Sequence, residues 1–220
     1  MIFFVSLQRN KYTFKQMSAT NEYRQELKAK IIEYAMDQFY MRGLRAVKMD
    51  EISRGLHVSK RTVYEIFGDK EELLLEGLRK KNEEMHQRME YFIKTEAHNV
   101  IDVLSFFYRL QMEYNQKVSV DFYEEIHRLP HVLEFLKKED QMECEERQRF
   151  FKVGVQEGLF RSDVDYDMLA EVTGMGMKEL MRCEGYKKYN MQMIFDNYVM
   201  VVIRGFCTER GLSMLNKAIG

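Results

Sequence analysis

The sequence is short of the residues that interrupt helices. One proline and twelve glycines in 220 residues cannot supply turn signals roughly every 8–12 residues, which excludes an all-β sandwich. The three cysteines, Cys144, Cys183 and Cys207, form no Cys-x-x-Cys pair and leave one over. Neither a disulfide framework nor a zinc knuckle is expected from them, and reduced thiols in a cytoplasmic protein are the simpler expectation. No window holds the ~18 apolar residues of a membrane span. The apolar start, Met1 to Leu7, lacks a preceding basic region and is too short for a signal sequence. A catalytic nucleophile, a phosphate loop and a cofactor fingerprint are also missing, so no enzyme activity, cofactor or metal is expected.

What the sequence does contain is 45% hydrophobic and 31% charged residues, the range of a soluble globular chain. With so few breakers, long helices are the expected architecture. Charge is unevenly spread. Residues 1–81 carry 16 basic and 11 acidic side chains, and residues 82–220 carry 18 and 24. A basic first third on an acidic remainder is compatible with a nucleic-acid-binding head on a body with another task.

Periodicity divides the chain into about nine helices. Leu27, Ile31, Ala35 and Phe39 recur every four residues between Arg24 and Arg42, with Gly43 as the stop. A short helix is expected from Met49 to Leu56, and another to Phe67 behind Ser59 as N-cap. Asp69 caps a long helix that ends near Thr95. The body is then expected as helices over Asn99–Gln116, Val120–Leu129 (stopped by Pro130), His131–Glu157, Tyr166–Arg182 and Asn190–Glu209. Residues 1–20 are expected to be an extension, with Met17 as an alternative start.

The informative stretch runs from Gly43 to Leu74. Ile52 and Leu56 face inward from one short helix, Val58 sits in the turn, and Val63 and Phe67 face inward from the next. That is the packing of a helix-turn-helix, which leaves the start of its second helix exposed. The residues so exposed are Lys60, Arg61, Thr62 and Tyr64. Lys70 opens the following helix, where backbone N–H groups favour phosphate.

With Phe39-x-x-x-Gly43, Asp50-Glu51-Ile52-Ser53, Val58-Ser59-Lys60, Thr62-Val63-Tyr64, Phe67 and Lys70-x-x-Leu73 in order, the segment from Arg24 to Leu78 resembles the DNA-binding domain of the TetR family of transcriptional regulators. The resemblance implies an all-α fold: a three-helix head over 21–69 and a larger helical body over 70–220 for ligand binding and dimerisation. It implies a homodimer on palindromic duplex DNA, acting as a repressor that a small-molecule effector releases. Lys48, Ser59, Lys60, Tyr64 and Lys70 are the candidate phosphate contacts, and Arg61, Thr62 and Glu65 the candidate base readers. Glu65 paired with Arg61 at i,i+4 is the structural alternative. The sequence departs from the family at His57, where glycine is usual, at Val47-Lys48, where a hydroxyl cap is usual, and at Ile66, where an aromatic is frequent.

In the body, soft and aromatic side chains mark a candidate pocket for an apolar or aromatic effector: Met85, Met89, Phe92, Phe107, Tyr114, Phe122, Tyr123, Phe150 and Met175. The last two long helices form the dimer interface in the family, which implies Met168, Val172, Met177, Phe195, Tyr198, Val202 and Phe206. Three other readings compete. Glu83-x-x-His86 and Glu124-x-x-His127, with Glu113, have the sequence form of a di-iron carboxylate bundle, and His127, His131 and Cys144 that of a metal sensor. A DNA-bound scaffold that recruits a protein partner would keep the head and drop the ligand switch. A filled body with an exposed apolar patch would favour that scaffold.

Overall fold

In the computed structural model, residues 19–142 and 144–219 are described. The side chains of residues 19–22, 137 and 139–145 are not, so the Met17 start and the Cys144 thiol lie outside the described residues. Four helices form the first third: α1 (Ala19–Arg42), α2 (Met49–Gly55), α3 (Lys60–Ile66) and α4 (Lys70–Thr95). The start of each after α1 is decided locally. Ser59 and Asp69 accept the backbone N–H of Thr62 and Glu72 respectively, while Lys48 leads α2 with no side-chain cap.

The body follows as α5 (Val100–Lys117), α6 (Val120–Ile126), α7 (Pro130–Met142), α8 (Cys144–Gln156) and α9 (Tyr166–Arg182). After it come α10 (Gly185–Lys188), α11 (Met191–Ile194), a π-helical turn (Phe195–Val199), α12 (Met200–Phe206) and α13 (Glu209–Ile219). Among the described residues the only extended pairing is one antiparallel bridge between Phe160 and Cys207. No described helix is long and apolar enough to cross a membrane.

Two expectations need correction. Pro130 does not stop α6, which ends at Ile126; it is the first residue of α7. Its missing N–H costs nothing there, and its fixed φ suits the first turn. The described residues of the helix expected over His131–Glu157 are helical from Pro130 to Met142 and from Cys144 to Gln156, as expected. The helix expected over Asn190–Glu209 contains the π turn and ends at Phe206, beyond which α13 forms a separate amphipathic helix.

Two hydrophobic clusters hold the fold together. The first joins Ile31, Phe39, Ile52, Val63, Phe67 and Leu74 to Phe122, Tyr123 and Ile126 of α6 and Tyr186 of α10. The second gathers Met89, Leu104, Phe107, Phe151, Phe160, Phe195, Met200, Phe206 and Leu215. Fully burying one such side chain stabilises by about 1.5–3 kcal/mol. Phe67 shows no exposure at all, so it anchors the end of α3.

Candidate nucleic-acid interface

The head is built around the turn between α2 and α3. The N–H of Val58 bonds to Ser53 O and that of His57 to Arg54 O, the paired bonds of a Schellman motif. His57 takes the left-handed position with φ +56°, where a side chain costs about 1–2 kcal/mol. Ile52 and Ser53 are buried on α2, and Val63 and Phe67 on the far side of the turn. The opposite side of α3 is thereby turned to solvent.

On that face, Lys60 Nζ contacts both carboxylate oxygens of Asp50, at 2.9 and 3.0 Å, and lies 5.7 Å from the Tyr64 ring centre. The bond to Asp50 raises the Lys60 pKa. Arg61 Nε donates to Glu65 Oε1 at 2.7 Å, with the arginine side chain 88% exposed. The pairing alternative therefore describes this structure. Thr62 Oγ1 shares a 2.7 Å hydrogen bond with Ser59 Oγ. Tyr64 is exposed. Lys48, Tyr64 and Lys70 line one open cleft with Met49, Asp50 and Asp69.

Lys70 differs from the expectation. Its ammonium donates to Leu44 O at 2.6 Å and Val47 O at 2.9 Å, and partial burial lowers its pKa. It ties α4 to the turn after α1, and so is committed to backbone carbonyls rather than held out for phosphate. Arg24, which sequence reasoning passed over, donates to Glu65 O at 3.2 Å. No local signal marks that contact, because the two residues are 41 positions apart.

The body places the remaining candidates unevenly. A cavity of about 20 Å³ is lined by Leu104, Phe107, Phe150, Phe151, Leu169, Ala170, Thr173, Val202, Ile203 and Phe206. Of the candidate pocket residues, only Phe107 and Phe150 stand on its wall. Met89 is buried in the second cluster, with Met85 packed against it, and Phe92 is buried with its ring stacked on Phe106. Phe122 and Tyr123 belong to the first cluster, with Tyr114 against them. Met175 is 61% exposed on α9, so it faces away from any interior pocket.

The dimer candidates divide as well. Met168 and Val172 are exposed on α9. Phe195 and Phe206 are instead buried in the chain's own second cluster, and Val202 reaches the cavity. Tyr198 turns inward, its hydroxyl donating to Thr173 O at 2.8 Å. Met177 packs between the two clusters. A π turn spans Phe195–Val199, and both of those residues are buried. Met193 and Val201 are left on the outside.

The metal readings find no constellation. Among the described residues, no three His, Cys, Asp or Glu side chains converge as ligands. Glu124 pairs with Arg128 and Lys187, His127 stacks on Tyr186, and Glu113 pairs with Arg88 and Lys117.

With this geometry in place, comparison with known proteins is informative. Residues 31–76 match the family model described as bacterial regulatory proteins, tetR family. No curated protein sequence matches the chain. Among solved structures, a transcriptional regulator from Saccharomonospora viridis in complex with choline superimposes with TM-score 0.64 at 19% identity, covering 84% of this chain and 100% of that one. A TetR-family regulator from Cytophaga hutchinsonii gives 0.62 at 14%, over 89% and 100% of the two chains. The ketosteroid regulator KstR2 of Mycobacterium tuberculosis gives 0.53 at 21%, over 83% and 96%. These likenesses establish the fold, and the match over residues 31–76 identifies the head as similar to that of bacterial regulatory proteins of the tetR family.

Proposed function

We propose that two copies of this chain place their α3 helices in successive major grooves of a palindromic duplex, about 34–36 Å apart. The protein then acts in the cytoplasm as a sequence-specific repressor that a small molecule releases. The observation that carries this reading is the exposed face of α3. Lys60, Arg61 and Tyr64 stand clear of a core that Val63 and Phe67 fix rigidly. Lys48, Ser59, Lys60 and Tyr64 anchor phosphates, while Arg61, Thr62 and Glu65 read bases. An exposed ion pair such as Arg61–Glu65 is worth about 0–1 kcal/mol. A good bidentate base contact brings about 1–3 kcal/mol, so DNA can outcompete the pair.

Dimerisation is supported by the outer face of α9, α11 and α12, where Met168, Val172, Met175, Met193 and Val201 are all exposed. Apolar side chains gathered on adjacent elements mark an interaction surface. The cavity beneath α9 supports the effector part of the reading. Its Phe107, Phe150, Phe151 and Phe206 rings suit an apolar or aromatic group, or a quaternary ammonium such as the choline of the S. viridis structure. At about 20 Å³ it holds no more than one water molecule. An effector therefore enters only by moving α9, which would also shift the partner copy and the spacing of the heads. The small cavity beside an exposed apolar face favours a second reading, a DNA-bound scaffold that recruits a protein without a ligand switch.

The test is DNA selection from random duplexes combined with sedimentation. Lys60→Ala should weaken binding to all duplexes and lower the salt slope by about one, whereas Arg61→Ala should relax preference at one base pair per half-site. A wild-type chain that sediments as a monomer at micromolar concentration, or selects no palindrome at low salt, overturns the proposal.

A further inference from the structure

A contact outside the cavity joins head to body. Gly43 ends α1 with φ +78°, and a Cβ there would stand 3.1 Å from both Asp121 Cβ and Glu125 Oε2. Two residues on, the backbone N–H of Arg45 donates to Glu125 Oε2 at 2.9 Å. The Glu125 side chain is only 13% exposed, while that of Arg45 is 73% exposed with its Nε at 3.9 Å. The carboxylate therefore holds the backbone, and the arginine side chain is incidental. From the same helix region, the Ser119 N–H donates to Tyr40 O at 2.7 Å. Lys70 of α4 grips the neighbouring carbonyls of Leu44 and Val47.

The turn between α1 and α2 is thus held on one side by α4 and on the other by α6. The same C-terminal end of α6 is also tied to α10. Arg128 and Lys187 each pair with both Glu124 and Glu184, and α10 directly follows α9. A charge-assisted bond to a backbone N–H is roughly twice as strong as a neutral one, which suits a contact that must transmit position.

We infer that Glu125 is a positioning residue for the DNA-binding head: its carboxylate fixes the α1–α2 turn against α6, so the orientation of the head follows α6 as well as α4. The inference rests on the DNA-binding reading for its consequence, but the contact itself can be tested without DNA. In the full-length wild-type background, Glu125→Ala should speed hydrogen exchange of the 43–48 amides by about tenfold or more, with protection in α3 unchanged. Glu125→Gln, whose amide oxygen still accepts the Arg45 N–H, should restore most of the protection, and Arg45→Ala should leave it intact.

On duplex DNA, Glu125→Ala should lower affinity for a palindrome selected by the wild-type chain on the order of tenfold, within the usual range of coupling between sites. Affinity for random-sequence duplex at the same salt should stay within about twofold. Unchanged exchange over 43–48 in Glu125→Ala overturns the inference, as does an equal loss on palindromic and random duplex. Should the wild-type chain select no palindrome, the DNA reading fails while the exchange result still decides the contact.

Discussion

The two hydrophobic clusters differ in the reach of their chain segments. The second is confined to the body, from Met89 to Leu215, and is dominated by rings, with Phe160 and Phe206 meeting edge to face at 5.0 Å. The first draws on the head and on distant body elements together, because Tyr40 of α1 packs edge-on against Phe122 of α6 at 4.9 Å. The first cluster thus spans the boundary placed at residue 69 from sequence. Packing does not respect it. A head that shares its core with α6 moves only as far as that shared core yields.

The sharpest way to break the comparison is a matched pair of truncations. Phe122→Ala and Phe160→Ala each remove a ring with no appreciable exposure and should each cost about 3–5 kcal/mol in urea unfolding. Phe122→Ala should also weaken hydrogen-exchange protection in α1, while Phe160→Ala should weaken it in α8 and α12 and spare α1. Loss of protection throughout the chain in both variants would show one cooperative core.

A smaller effect tests the seam of the second cluster. A Cβ on Gly211 would lie 2.2 Å from Leu159 O, a backbone atom that cannot swing aside. Gly211→Ala should cost about 1–3 kcal/mol, read as a lower urea midpoint, with DNA affinity unchanged. Smallest of all, His57→Gly in the head should relieve the left-handed strain and raise stability by about 0.5–1 kcal/mol, the penalty less glycine's extra chain entropy. A lower midpoint for that variant would mean the imidazole makes a compensating contact.

Much of the architecture was legible because its signals are local. Ser59, Asp69, Asn99 and Asp165 each cap the helix that follows, since a cap is decided within three residues. Pro130 carried a readable signal that was assigned to the wrong helix. The separate α13 had one too: Thr208 Oγ1 accepts the Gly211 N–H at its start. The candidate site was legible in its residue types but not in its partners. Asp50 on Lys60 is ten positions away, and Glu125 on Arg45 eighty, so no spacing rule brings either pair together. Met175 was assigned inward because apolar character cannot tell a residue that meets its own core from one that meets another surface.

The π turn between Phe195 and Val199 adds one residue to the last long segment. Each added residue turns a helix by about 100°, so the stretch after the bulge is rotated like a key. Asn197 and Gly205 come to lie beside Met193 and Val201 on the outside. If a second copy docks there as proposed, Gly205 would let the two surfaces approach closely, and Asn197 would keep that approach from being greasy along its whole length.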